Sequence, residues 1–463
     1  MANRFAALLQ PDRGQPARLI HVVHPDAWEK WLGAQPPRVR TAVAAHRLTG
    51  KAGNRAVLPG DKADDWSMLL VCNEAESSPW RIASLGDQLP EGTYRLAEGE
   101  PGIAMLGWLL AQYRFERYRK EDKPAGPRVL LTGEPARIDE ITRIATATAK
   151  VRDLVNTAAA DLGPAELEHE AATLAKAHGA IFHVTKGEAL AKGYPMILAV
   201  GQAAAKGREP RLIELEWGNP AHPRVAIIGK GVCFDSGGLD IKPSSGMRLM
   251  KKDMGGAAHA LALAGLVMAE RLKVRLHLLI PAVENSIAGN AFRPGDVLAT
   301  RKGLTVENTN TDAEGRLVLG DAITKAGEDK PALIIDFATL TGAARVALGP
   351  DLPATFANDE ELAEELLAAG TAVGDPLWRL PLWDGYDEMF ASDVADLVNA
   401  PDGGFAGAVT AALFLRRFVP ANTPWVHFDT FAWRPTAKPG RPKGGEALGL
   451  RAAWAVLKAR YTG

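Results

Sequence analysis

The chain has 463 residues, beyond the roughly 250–300 at which one hydrophobic core stops growing, so a single-core fold is excluded and two domains are expected. Hydrophobic residues make up 47% and charged residues 24%, an ordinary globular balance with no apolar stretch of membrane-spanning length. The net charge of −1 offers a polyanion little to bind, so no nucleic-acid partner is expected, and two cysteines exclude a disulfide framework and fit a reducing, cytoplasmic location.

The first 14 residues have one short apolar run, broken by Gln10, Pro11 and Asp12, and lack the apolar core of a secretory signal. Residues 1–135 read as a smaller N-terminal α/β domain. Its apolar runs Arg18–Val23, Ser67–Cys72 and Arg128–Thr132 predict strands, and loops such as Leu58–Asp64 and Glu121–Pro127 separate them. No catalytic motif stands out there. Residues 136–160 predict a linker helix, because Ile141, Ile144, Ala145, Val151, Leu154 and Val155 recur at helical spacing; Gly163-Pro164 is expected to end it.

Residues 161–463 predict a larger catalytic α/β domain. Strand-like runs at Arg224–Gly229, Val274–Ile280, Ala332–Phe337 and Trp425–Phe428 alternate with helical patterns near Gly255–Leu272, Val318–Ala326, Asn358–Leu367 and Ala406–Phe418. Such alternation predicts a central, mostly parallel mixed sheet flanked by helices, with ligands bound at the carboxyl ends of its strands. Polar, glycine-rich turns follow strand candidates at Gly229–Gly238 and Leu340–Gly342.

Two segments carry acids that could do chemistry. Asn308–Leu317 places Asp312 and Glu314 two residues apart, which in an extended segment puts both carboxylates on one side, with Arg316 two residues further on. Like charges so close repel unless a cation lies between them, and hard divalent cations take oxygen ligands. Gly229–Gly238 and its continuation supply Asp235 and Asp253, flanked by Lys230, Lys242, Lys251 and Lys252. Two converging acid clusters would hold two metals. On residue types alone, solvated surface acids and a plain turn at Asp235 remain alternatives. There is no His-Glu-x-x-His, no Gly-x-Ser-x-Gly and no phosphate loop. The ten histidines form no ligand-spaced cluster, and His259 and His277 read as structural.

The stretch Asn310-Thr-Asp-Ala-Glu-Gly-Arg-Leu317 resembles the signature of the leucyl aminopeptidase (cytosol aminopeptidase) family, two-metal and bacterial-type. Gly229–Gly238, with Lys242 and Asp253, resembles that family's other metal-binding block, and the likeness runs from about Val151 to the C-terminus. It implies a metal-dependent aminopeptidase that hydrolyses the N-terminal peptide bond through a metal-bridging water and a tetrahedral intermediate. Lys230, Asp235, Asp253, Asp312 and Glu314 would ligate two divalent ions, zinc, manganese or magnesium. Asp235 and Glu314 would bridge them. Lys242 would stabilise the oxyanion, and Arg316 would hold a bicarbonate acting as base. Met250, Thr339 and Leu340 would line the substrate pocket, favouring Leu-like or other apolar first residues. Peptides are the implied partners, and the assembly a homohexamer of two stacked trimers. The stretch Trp433–Glu446 departs from better-known members and leaves substrate preference open. The competing readings are a DNA-binding or scaffolding role and a different two-metal hydrolase such as a phosphoesterase.

Overall fold

The computed structural model describes residues 4–62, 64–119 and 126–462, so most of the punctuating stretch Glu121–Pro127, and Ala63 of the loop Leu58–Asp64, lie outside the described residues. Its contacts divide into two units. One comprises residues up to Ala149 with Thr436–Pro442, the other Lys150–Pro435 with Lys443–Gly463.

The first unit is built on six strands: β1 (Leu9–Pro11), β2 (Arg18–Val23), β3 (Arg55–Pro59), β4 (Trp66–Val71), β5 (Gly92–Leu96) and β6 (Arg128–Thr132). They lie in the order β1-β6-β5-β2-β4-β3, parallel except for β3 against β4. The helix Ala104–Ala111 is buried on every side, as a uniformly apolar helix must be. Its Trp108 packs against Tyr94 and donates through Nε1 to the Arg128 carbonyl at 2.9 Å, which satisfies the one polar atom of a fully buried ring.

The long helix Ile138–Asn156 forms where the periodicity placed it. Gly163-Pro164 does not end it. The proline instead opens the next helix, Pro164–His178, at a position where a missing N–H costs nothing.

The second unit carries a nine-stranded mixed sheet: β7 (Ile181–Lys186), β8 (Arg211–Trp217), β9 (Arg224–Gly229), β10 (Gly231–Asp235), β11 (Arg275–Asn285), β14 (Leu333–Ala338), β15 (Ala354–Ala357), β16 (Trp378–Arg379) and β18 (Trp425–Asp429). A small separate sheet holds β12 (Val297–Ala299), β13 (Thr305–Glu307) and β17 (Leu397–Val398). The centre, β18-β14-β9-β11, is parallel and its residues are almost all buried; β8 joins β11 antiparallel and β15 joins β18 antiparallel. Parallel strands covered on both faces read as continuous apolar runs, which is why these were visible in the sequence.

The glycine-rich segment read as a turn after β9 is itself largely strand, β10, pairing parallel with β11. The helix Gly255–Glu270 crosses close beneath the sheet. A Cβ on Gly256 would stand 2.1 Å from the Phe337 carbonyl oxygen, so only glycine permits this approach. His259 and His277 are structural. His259 Nε2 accepts from the Leu448 N–H at 3.0 Å, leaving Nδ1 to donate to the Gly255 carbonyl, and His277 lies between Arg224 and Glu214. Among the described residues no helix is long and apolar enough to cross a membrane.

Candidate metal centre and active site

The carboxyl ends of the parallel strands converge on one place in the second unit. Lys230 follows β9 directly, Asp235 closes β10, and Thr339 and Leu340 follow β14. The turn Gly237-Gly238, both residues at positive φ, folds the chain back so that the Lys242 N–H reaches the Ser236 carbonyl at 2.9 Å. Met250 lies in the short 3-10 turn Met250–Lys252, and Asp253 just precedes the helix Gly255–Glu270.

Asp312 and Glu314 do come together, but not on an extended strand. Asp312 sits in a turn, and Glu314 is the first residue of the helix Glu314–Gly327, which starts four residues earlier than the apolar pattern suggested. In a helix, residues two apart diverge, so Arg316 does not share Glu314's face as an extended segment would require. Its Nη1 instead donates to the Asn399 carbonyl at 2.8 Å.

Oxygens of Asp235, Asp312 and Glu314 lie within 4.8 Å of one another. Three lysines are set among the acids, and Lys252 Nζ stands 3.6 Å from Asp253 Oδ1. Lys230 Nζ is 2.7 Å from Asp253 Oδ2 and 2.8 Å from Glu314 Oε1, and it donates to the Thr339 carbonyl at 3.2 Å. Lys242 Nζ is 2.8 Å from Asp235 Oδ2 and also meets Asp312 Oδ1. The lysine ammonium groups are thus the only partners of Asp253 Oδ2, Asp312 Oδ1 and Glu314 Oε1 among the described residues. Buried carboxylates that share ammonium groups in this way suit a further positive partner.

The electrostatics agree. Burial, then the Asp235 charge, pushes Glu314 up to about 8, and the same two causes push Asp312 up to about 6. Burial alone would lower Lys230, but Asp253, Glu314 and Asp235 hold it above the ordinary lysine value. Burial likewise opposes the Lys242 ammonium, and Asp235 and Glu314 raise it. Burial lowers Lys252 to about 8 and Arg316 to about 10. A donor set of four carboxylates and an amine fits divalent metal ions.

Every site residue named from the sequence except Glu314 lines a single cavity of about 290 Å³; Glu314 lies buried behind it, 1% exposed. Four supporting residues escaped sequence reasoning. Asn285 donates from Nδ2 to Asp235 Oδ1 (2.9 Å) and to the Thr311 carbonyl (3.0 Å), tying the two acid segments together. Asp240 accepts from the Thr311 N–H at 2.7 Å. The Asn399 side chain accepts from the Thr309 N–H (2.8 Å) and donates to the Asn310 carbonyl (2.8 Å). Asp429, at the end of β18, accepts from the backbone of Leu340 and Thr341. No spacing signal marked them, since their partners lie far away in the chain.

The catalytic-domain model of the cytosol aminopeptidase family matches residues 149–453, and the model of the M17 aminopeptidase N-terminal domain matches residues 19–131. The chain belongs to the cytosol aminopeptidase family. It is therefore a peptidase and a hydrolase, as the signature at Asn310–Leu317 implied. It is 42% identical over 366 residues to a probable cytosol aminopeptidase of Syntrophotalea carbinolica, covering 75% of this chain and 73% of that protein. The crystal structure of a cytosol aminopeptidase from Coxiella burnetii superposes with a TM-score of 0.93 at 44% identity, covering 98% of this chain and 99% of the other. The bottromycin maturation enzyme BotP in complex with Mn superposes with a TM-score of 0.85 at 31% identity, covering 96% and 100%.

Proposed function

We propose that this member of the family removes the first residue from peptides, favouring Leu-like or other apolar first residues, with two divalent cations held by Lys230, Asp235, Asp253, Asp312 and Glu314. The observation that carries the reading is the convergence of oxygens of Asp235, Asp312 and Glu314 within 4.8 Å, with Lys230 and Asp253 beside them. Bound there, the cations would supply Lewis acidity and a nucleophile at neutral pH. Of zinc, manganese and magnesium, manganese has the support of the BotP structure.

The chain's own groups divide the remaining work. Lys230 would hold a cation only as a neutral amine, which requires it to lose its proton. Lys242, its side chain 15% exposed and the more accessible of the two lysines, turns its ammonium to the scissile carbonyl oxygen and stabilises the negative charge that develops. Arg316 is buried with Nε unpartnered, a fit for a planar oxyanion, and would hold the bicarbonate that serves as proton acceptor. Met250 and Leu340 offer apolar surface to the first side chain, and Thr339 ties its loop to Asp253 at 2.8 Å. A homohexamer and a cytoplasmic location complete the proposal.

The test is hydrolysis of leucine p-nitroanilide by the Mn²⁺-loaded protein. We expect chelation to abolish turnover and Mn²⁺ or Zn²⁺ to restore it, with sedimentation reporting six subunits. Undiminished turnover by protein verified to be metal-free would overturn the metal assignment.

A further inference from the structure

The cavity beside the four carboxylates, Lys230 and Lys242 is also lined by Arg345, on the helix Gly342–Leu348. The buried Lys252 lies between the two groups: its Nζ is 3.6 Å from Asp253 Oδ1, and it is close enough to Arg345 to feel that charge. The Arg345 guanidinium lies over the Phe431 ring, 4.5 Å from its centroid, and Lys252 Nζ is 5.4 Å from the same ring. Stacking of this kind fixes the plane of an arginine while leaving its edge donors free.

Those donors are unspent. Among the described residues Arg345 makes no ion pair with a carboxylate. Other half-buried arginines of the same unit do: Arg301 pairs with Glu328, Arg379 with Glu360 and Arg460 with Glu365. The approach to it is also open. Gly342 lines the cavity, and a Cβ there would stand 3.5 Å from Arg345 Nη2. A half-buried guanidinium, held planar and turned to a substrate cavity without an acid of its own, is a receptor for a planar anion.

We propose that Arg345 is a specificity residue that binds a carboxylate of the peptide. The inference rests on the aminopeptidase reading and deepens it. With two divalent cations bound the four carboxylates no longer repel an anion, and the Arg345 guanidinium adds a pairing that only a charged substrate group can use, so it sorts substrates by charge. Two sources present this chemistry: the C-terminal carboxylate of a dipeptide, and the side chain of an aspartate or glutamate near the N-terminus.

The experiment compares kcat/KM of the metal-loaded, full-length protein on two matched pairs, Leu-Gly against Leu-Gly-amide and Glu-Gly-amide against Gln-Gly-amide, for the wild type, R345M and R345K. We expect R345M to lower the charged-to-neutral ratio in at least one pair by roughly 10- to 100-fold, the worth of a charge-assisted pair of hydrogen bonds, with R345K between. A fall confined to the first pair identifies the terminal carboxylate, and one confined to the second identifies the side chain. Ratios unchanged in both pairs overturn the proposal. If R345M is not recovered folded, a wild type showing no preference for the charged member of either pair overturns it equally. A wild type inactive on all four peptides would instead sink the aminopeptidase reading itself.

Discussion

Two buried clusters of opposite charge lie in the same unit and are built to opposite standards. Arg152 and Glu446, with side chains 0% and 2% exposed, form a two-pronged pair: Nε and Nη2 reach Oε1 at 3.1 and 3.0 Å, and Nη2 reaches Oε2 at 3.1 Å. The Ala447 N–H adds a bond to Oε1 at 3.0 Å, so both oxygens of the acid are satisfied. At Lys230, Lys242, Asp235, Asp253, Asp312 and Glu314 the ammonium groups are shared among four carboxylates, three of whose oxygens have no partner but a lysine, and Lys242 and Asp312 are 15% and 35% exposed. The first arrangement holds the fold together. The second costs stability that only a further cation returns. Incomplete satisfaction, rather than burial or charge alone, separates a site from a strut.

The comparison breaks if the clusters respond alike to losing a partner. Glu314→Gln and Asp312→Ala should remove bound metal and activity together, a fall on the order of a thousandfold or more in kcat, because several kcal/mol of transition-state stabilisation go with the cations. Metal analysis beside the assay checks this, and the urea midpoint, compared between metal-free proteins, should not fall. Glu446→Gln should do the reverse. It strands a buried guanidinium and should cost about 3–5 kcal/mol of stability by urea titration, while the molecules still folded keep their metal. Lys242→Met tests the acidic cluster from its cationic side. We expect kcat to drop about 10²- to 10³-fold with a smaller change in KM, as when a donor to a developing oxyanion is removed.

The same contrast explains what the sequence could disclose. The central strands β9, β14 and β18 were legible because both faces are buried and their residues run apolar without a break. The edge strand β7 and its neighbour β8 were not. Ile181–Lys186 alternates exposed and half-buried positions, and Arg211–Trp217 carries Glu214 and Glu216 among its apolar residues. The acids that converge were named from their motif, yet the local geometry argued for Asp312 and Glu314 was wrong: a turn and a helix start bring them together. Asn285, Asp240, Asn399 and Asp429 could not have been read at all. Each meets a partner between 26 and 90 residues away, and nothing in the local pattern encodes such a contact.

Asp429 gives the smallest and most discriminating test, because it belongs to neither kind of cluster. Its carboxylate is 5% exposed and takes the Leu340 N–H at 3.0 Å, the Thr341 N–H at 3.1 Å and the Thr341 hydroxyl at 2.6 Å. The loop so held carries Thr339, whose carbonyl accepts from Lys230 and whose hydroxyl lies 2.8 Å from Asp253 Oδ1. Asp429 therefore satisfies its own oxygens, as Glu446 does, and acts on the site only by positioning this loop. Asparagine keeps the shape but replaces one accepting oxygen with a donor, setting an N–H against groups that also donate. Asp429→Asn should cost about 1–3 kcal/mol of stability, the worth of one donor left unmet. It should lower kcat/KM about tenfold while metal content stays at the wild-type level. Loss of metal would move Asp429 into the ion-holding cluster. Unchanged kcat/KM would mean that the loop is held by its own helix start, where Thr341 Oγ1 accepts from the Ala344 N–H at 3.0 Å.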